Sequence, residues 1–214
     1  MNKCLPSYIS EKDRICIICE GDEEYDYFDK LKSLGVWNER YEFSLENAEG
    51  NGNIPARYQD KYQNGSYDLV LIFCDTEKKP YEQYEDIKNK VNAIHGLDNV
   101  ADEVIIFGNP CTMQIVLLHI TQVLLKSPAK KTNSKYIYSC FGVNNYKGRK
   151  DQRNIIFSQI TKSNYYQMCN AIQSLSTDDT VVGSTNFLKY INYFSSNSNE
   201  WIHLINAKLE QEYP

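Results

Sequence analysis

Carboxylates are concentrated directly after the first long apolar run of this 214-residue chain. The run ICIIC ends at Cys19 and is followed by Glu20, and four further acids lie within the next six residues. Carboxylates this close together repel one another and raise one another's pKa unless a cation neutralises them. Hard oxygen ligands at such a charge density suit Mg²⁺ or Mn²⁺, ions that commonly serve phosphate chemistry. The residue types and their spacing therefore predict a divalent-metal site after this run.

A second pair of acids follows the most hydrophobic short run, LVLIFC. Asp75 and Glu77 come after this run, and Asn109 comes after a third apolar run. In a parallel sheet the carboxyl ends of the strands share one edge, where ligands bind. We therefore expect Glu20, Asp75 and Glu77 to meet there and to hold Mg²⁺ or Mn²⁺, with Asn109 beside them.

The other acids of the first group have a simpler explanation. Acids in the first turn of a helix complement the helix dipole. We therefore expect Asp22, Glu23 and Asp26 to form a solvated helix N-terminus. Glu20 and Asp75 follow buried strands directly, a position that favours a role in a site.

Apolar runs alternate with helical patterns through the first part of the chain. Strands are predicted at residues 15–19, 41–45, 69–74 and 104–107, and helices at residues 22–34, 54–63, 81–94 and 112–125. This alternation predicts an α/β fold with a mostly parallel sheet flanked by helices. Beyond it we predict a short strand at residues 136–140 and helices at residues 151–175, 184–194 and 201–209.

Length and composition favour one core of ordinary size with an extension. We expect a catalytic core over residues 1–125, and a basic loop region with a helical extension packed on it over residues 126–214. The helical extension either closes the core or forms a homo-oligomer contact. No apolar leader segment and no cysteine framework are recognisable, so we expect a reduced, cytoplasmic protein. The longest apolar segment is far shorter than the ~20 residues of a membrane span, so no membrane is expected.

Positive charge is concentrated in residues 126–153. Eight basic residues face one acid there, a net charge of +7, while the rest of the chain carries −12. Lysine and arginine neutralise phosphates, and the interleaved tyrosines and phenylalanine can stack on unpaired bases. The basic residues that we expect to contact DNA or RNA are Lys130, Lys131, Lys135, Lys147, Arg149, Lys150 and Arg153. An acidic protein partner would suit the same charges.

Two of these motifs carry a resemblance to a known superfamily. The strand followed by Glu20-Gly21, and the later strand ending in Asp75-Thr76-Glu77, resemble the TOPRIM domain of topoisomerases, primases and OLD-family nucleases. The resemblance covers about the first 125 residues and implies a Rossmann-like core.

A third motif narrows the resemblance within that superfamily. The turn Asn109-Pro110-Cys111 and the following helix, which carries His119, resemble RloB-type proteins of bacterial antiphage defence. A fainter echo lies at Tyr146 and its two neighbours.

The resemblance implies roles for individual residues. Glu20 would act as general acid or base and metal ligand, while Asp75 and Glu77 would hold the divalent ion. Glu24 matches the extra acid of the OLD-type motif and would also bind metal. Asn109 and His119 would lie next to the site.

The activity implied is that of a metal-dependent nuclease in antiphage defence, with Mg²⁺ or Mn²⁺ as cofactor. RloB-type proteins are linked to ATPases of the ABC or AAA type, and this chain has no phosphate-binding G-x-x-x-x-G-K-[ST] motif. Met113 stands where those proteins usually carry an acid, which favours the alternative of a non-cutting scaffold or binding module. A phosphoacceptor role for Asp75 is disfavoured, because Glu20 stands where haloacid-type phosphatases carry their nucleophilic aspartate.

Overall fold

A four-stranded parallel β-sheet lies at the centre of the structure, which is a computed structural model describing residues 12–76 and 81–210. Its strands are β1 (Asp13–Cys19), β2 (Tyr41–Asn47), β3 (Leu69–Asp75) and β4 (Ile105–Gly108). Their order is β2-β1-β3-β4, and every neighbouring pair is parallel. The predicted α/β class with a parallel sheet is confirmed, and the arrangement is compatible with a Rossmann-like fold.

Helices flank this sheet and make up most of the remaining chain. They are α1 (Asp22–Ser33), α2 (Ile54–Gln63), α3 (Tyr81–His95), α4 (Ala101–Val104), α5 (Met113–Leu117), α6 (Lys130–Phe141), α7 (Lys150–Ser158), α8 (Lys162–Ile172), α9 (Phe187–Ser195) and α10 (Glu200–Leu209). None of the helices in the described ranges is long and apolar enough to cross a membrane.

The two central strands owe their position to unbroken apolar sequence. All seven residues of β3 are buried, as are the last five of β1. Strands that are buried on both faces have continuously apolar sequences, because helices cover each side of the sheet. Cys16 and Cys19 of β1 are core residues within this layer. Glu20 and Asp75 therefore lie at the ends of two largely buried strands.

The helix predicted over residues 112–125 is wrong in length, because α5 ends at Leu117. Gln114 is fully buried, and its Nε2 donates to the Val123 carbonyl at 2.8 Å. The backbone N–H of Leu125 donates back to its Oε1 at 2.7 Å. Since the later segment satisfies its backbone groups on this side chain, it folds back along α5 instead of extending the helix.

The strand predicted at residues 136–140 is also wrong, because these residues belong to α6. Asn133, Ile137 and Phe141 are buried at intervals of four, the spacing of one helix face. Gly142 ends the helix with φ of 72°, a left-handed conformation that favours glycine. The basic region therefore begins with a helix.

The single helix predicted over residues 151–175 is two helices, α7 and α8. Thr161 separates them, since its hydroxyl accepts from the backbone N–H of Asn164 and caps α8.

The C-terminal part covers the open edge of β4. The backbone N–H of Phe107 donates to Oδ1 of Asn186 at 3.0 Å, and Nδ2 of Asn186 donates to the Ile105 carbonyl at 2.7 Å. Thr185 forms an antiparallel bridge with Gly108. The helix predicted at residues 184–194 starts only at Phe187, because the preceding residues pair with this edge. The apolar face of α9 lies in the same hydrophobic core as the sheet.

Candidate functional site

Glu20 and Asp75 meet at the carboxyl edge of the sheet. Glu20 directly follows β1, and its backbone N–H donates to the Phe73 carbonyl of β3 at 3.0 Å. The backbone N–H of Asp75 in turn donates to Oε2 of Glu20 at 2.9 Å. The parallel pairing of β1 with β3 therefore brings the two acids together, although 54 residues separate them in the chain.

Asp75 is held in place by Thr112, a residue that the sequence did not single out. Oδ1 of Asp75 accepts from the backbone N–H of Thr112 at 2.6 Å and from its hydroxyl at 2.8 Å. Both residues are buried. Two donors on one oxygen fix the carboxylate, so its orientation depends on the turn that follows β4.

Glu24 is a third carboxylate at this edge. Its Oε2 accepts from the backbone N–H of Gly21 at 3.2 Å, which caps the first turn of α1. Burial raises the pKa of Glu24 to about 8, helped by the nearby charges of Glu20 and Glu23. Burial and the neighbouring carboxylates therefore disfavour the ionised form of Glu24 unless a cation lies beside it.

The pKa of Asp75 shifts in the same direction. Burial raises it well above its usual range, and the carboxylates of Glu24 and Glu20 add to the shift. The hydrogen bond from the Thr112 hydroxyl opposes the shift without cancelling it. The site therefore holds more negative charge than its buried surroundings accommodate.

These carboxylates line a cavity of about 540 Å³. Cys111 and Met113 contribute to its wall from the turn after β4 and the start of α5, and both are buried. Met113 thus reaches the cavity from the position where an acid was expected. Asn51, in the turn after β2, also faces the site, and its amide donates to the Glu20 carboxylate when the nitrogen points toward that group.

The remaining acids of α1 are more than a solvated helix N-terminus. Oε2 of Glu23 accepts from Nζ of Lys130 at 2.8 Å and from the hydroxyl of Tyr146 at 2.6 Å. The Glu23 side chain is only 11% exposed and lines the cavity. This acid therefore connects the first helix of the core to the basic segment.

Arg153 makes the second connection between α1 and the basic segment. Its Nε donates to Oδ2 of Asp26 at 2.7 Å, and its Nη2 donates to Oδ2 of Asp22 at 3.0 Å. The guanidinium also donates to the Gly148 carbonyl, and the residue is 6% exposed. Sequence patterns could not reveal these pairs, since each joins residues more than 120 positions apart.

A second cavity, of about 700 Å³, lies among the basic residues. We call it the basic groove and define it by its lining residues: Lys130, Lys131, Ser134, Asn145, Tyr146, Lys147 and Arg149. Lys130 and Tyr146 also line the acidic cavity, so the two cavities adjoin. Lys135 and Lys150 are exposed but are not among these lining residues, and Arg153 lies on the acidic side.

Asn109 and His119 have structural roles away from both cavities. Nδ2 of Asn109 donates to the Asp179 carbonyl at 2.6 Å. His119 is fully buried, with its Nε2 2.9 Å from the Tyr27 hydroxyl and its Nδ1 3.3 Å from Oδ1 of Asn164. Burial lowers the pKa of His119 to about 4. Neither residue lines either cavity among the described residues.

The fit of the site to a divalent metal rests on its charge and its oxygen ligands. Within residues 12–76 and 81–210, no three carboxylate, thiol or imidazole groups are placed together so that they could hold an ion. Glu77, the fourth predicted ligand, lies outside the described residues. The raised pKa values of Glu24 and Asp75 nevertheless mark two buried carboxyl groups that a cation would stabilise in their ionised form.

Comparison of the chain with protein-family models, with curated proteins and with solved structures finds no match in any of the three.

Proposed function

We propose that this chain is a metal-dependent phosphodiesterase that cleaves DNA or RNA, with a TOPRIM-like site of the kind found in RloB-type antiphage defence proteins. The observation that carries the proposal is the contact between Glu20 and Asp75 at the carboxyl edge of the sheet, in a cavity that adjoins the basic groove. Carboxylates suited to a cation thus lie beside cations suited to phosphate.

The residues that would hold Mg²⁺ or Mn²⁺ are Glu20 and Asp75. Glu24, and Glu77 in the segment outside the described residues, supply the further carboxylates. Held by these carboxylates, a divalent ion would supply a positive charge that polarises a phosphate and lowers the pKa of a bound water. Thr112 keeps Asp75 oriented, and the backbone of Asp75 keeps Glu20 oriented, so that both carboxylates are positioned in advance.

Nuclease assays with a matched pair of variants test the proposal. The purified protein should cleave plasmid DNA or RNA in the presence of Mg²⁺ or Mn²⁺, and cleavage should stop with EDTA. Glu20→Gln should abolish cleavage, whereas Glu39→Gln, the same change at an exposed acid away from the site, should not. Equal cleavage by Glu20→Gln and wild type would remove Glu20 from the mechanism.

The second candidate function is a scaffold that binds nucleic acid or a partner without cutting. The buried Met113 in the cavity wall favours it, because no acid stands at that position. Calorimetry with Mg²⁺ separates the two functions: a scaffold of this kind shows no binding at millimolar metal, whereas a metal-dependent enzyme does.

We also propose that an ATPase of the ABC or AAA type is a partner of this chain. Because the sequence has no phosphate-binding loop of its own, a nucleotide-driven step requires a second protein. Full activity of the chain alone, with no response to ATP and no ATPase in pull-downs, would contradict this part.

A further inference from the structure

The acidic cavity and the basic groove share two lining residues. Lys130 and Tyr146 line both cavities, and Nζ of Lys130 lies 5.6 Å from the centre of the Tyr146 ring. Oε2 of Glu23 accepts a hydrogen bond from each of them. The Glu23 carboxylate therefore positions both side chains that the acidic cavity and the basic groove share.

The basic groove has the charge expected of a phosphate-binding surface. Of its described lining residues four are cations and none is an acid. Lys131, Lys147 and Arg149 are exposed, and within the described part of the chain they make no ion pair. Lys130 is the exception, since it is paired with Glu23. Three cations are thus available to a bound polyanion.

An exposed aromatic ring extends the groove along α6. Lys131, Ser134 and Tyr138 are spaced by three and four residues and therefore share one face of this helix. Tyr138 is 53% exposed, whereas Tyr136 is only partly exposed and Phe141 and Tyr146 are buried. An exposed ring beside a basic groove is a stacking platform for an unpaired base.

The depth of the acidic site limits the shape of the substrate. Asp75 is 8% exposed and Glu24 is 5% exposed, so a phosphate must enter the cavity to reach them. Both cavities lie within the roughly 300–1,000 Å³ range of small-ligand sites. Bending a duplex, whose persistence length is about 50 nm, so that one phosphate enters such a space costs free energy that a flexible single strand does not have to supply.

We propose that the basic groove and Tyr138 bind a single-stranded segment or frayed end of nucleic acid, and that this strand crosses Lys130 and Tyr146 to present one phosphate to the acidic cavity. This substrate class rests on the proposed function for the chemistry of the cut. Binding of the strand in the groove does not depend on it. The backbone phosphates lie against Lys131, Lys147 and Arg149, and an unpaired base stacks on Tyr138.

Binding is measured without cleavage, by fluorescence anisotropy in EDTA. The probes are a labelled oligothymidylate, a labelled oligouridylate and a labelled blunt duplex, and polyglutamate serves as an acidic-polymer competitor. Both single strands should bind more tightly than the duplex, and polyglutamate should not displace them at matched charge. Tighter duplex binding, or displacement by polyglutamate, would overturn the proposal.

Variants locate the strand. Lys131→Ala and Arg149→Ala should each weaken single-strand binding and reduce the salt slope by about 0.7, the value for one lost phosphate contact. Lys32→Ala, at the far end of α1 and exposed, is the matched control and should leave binding unchanged. Loss of binding in all three variants alike, or in none, would contradict a strand in the groove.

Tyr138 provides a test of stacking. Tyr138→Ala should weaken single-strand binding by about tenfold, and Tyr138→Phe, which keeps the ring, should restore it. If the strand binds in this way but is never cut with Mg²⁺ or Mn²⁺, the proposed binding site is supported and the proposed nuclease activity is excluded. If duplex is cut as fast as single strand, the proposed nuclease activity is supported and the proposed preference for single strands is excluded.

Discussion

The backbone N–H of Asp75 donates to Oε2 of Glu20 at 2.9 Å, so the ends of two adjacent parallel strands are linked by a side chain that also faces the acidic cavity. Movement of either strand would shift both carboxylates. A pair of carboxylates positioned in this way gains its geometry from the sheet and needs little reorganisation of the backbone to act together.

Metal binding at this pair should appear as thermal stabilisation. A ligand that binds only the folded state stabilises it in proportion to the logarithm of its concentration. Mg²⁺ should therefore raise the unfolding temperature of wild type and of Glu39→Gln, and should not raise that of Asp75→Asn. Asparagine still accepts from Thr112 through its amide oxygen, so the variant is expected to fold. Differential scanning fluorimetry with and without Mg²⁺ measures the shift, and equal shifts in all three proteins would exclude Asp75 as a ligand.

Thr112 should control activity through the orientation of Asp75. Thr112→Val removes the hydroxyl that donates to Oδ1 and leaves the backbone donor in place. We expect a loss of about 1 kcal/mol in the free energy of unfolding and a clear fall in kcat, because one of two orienting bonds is gone. Thr112→Ser keeps the hydroxyl and should retain both the free energy of unfolding and the kcat of wild type. Urea unfolding and metal-dependent cleavage measure the two effects, and a serine variant as impaired as the valine variant would count against the hydroxyl.

Arg153 should anchor the basic segment to α1. Its guanidinium is buried, while the side chain of Asp22 is 64% exposed and that of Asp26 is 29% exposed, so solvent screens part of the interaction. We expect Arg153→Ala to lower the free energy of unfolding by roughly 1–2 kcal/mol. Arg153→Lys keeps the charge but loses the forked geometry of the guanidinium. Its free energy of unfolding should therefore lie between those of wild type and Arg153→Ala. Chemical denaturation of the three proteins measures this, and no difference between them would show that the ion pairs contribute nothing.

His119 should make the protein less stable in mild acid. Its pKa in the folded protein is about 4, below the ordinary 6.5, so the unfolded chain binds the proton first as the pH falls. The contribution of the neutral imidazole to the free energy of unfolding is complete above pH 6.5 and declines as the pH falls from 6.5 to 4. Below pH 4 this group causes no further change. The loss is at most roughly 3 kcal/mol.

A substitution isolates this contribution. His119→Gln cannot titrate, and its amide can still meet the Tyr27 hydroxyl and the Asn164 amide that face the imidazole. The variant should show a flatter dependence of unfolding free energy on pH between 6.5 and 4 than wild type. Parallel curves for the two proteins, measured by urea unfolding across this range, would contradict the assignment.

Much of the fold follows from local patterns in the sequence. Unbroken apolar runs placed β1 and β3 in the buried centre, and α2 begins and ends at the predicted residues. These elements are determined by burial and by helix-start signals within a few residues of chain. The positions of Glu20 and Asp75 at strand ends follow from the same patterns.

Tertiary structure decided the rest. The turn back after α5 depends on Gln114, and the orientation of Asp75 depends on Thr112, which no local pattern distinguishes from other buried polar residues. The pairing of Glu23 with Lys130 joins residues that lie 107 positions apart. Periodicity within the chain reports which face of an element is buried but not which distant charge will meet it. The acidic cavity and the basic groove therefore became neighbours only when the chain folded back on its first helix.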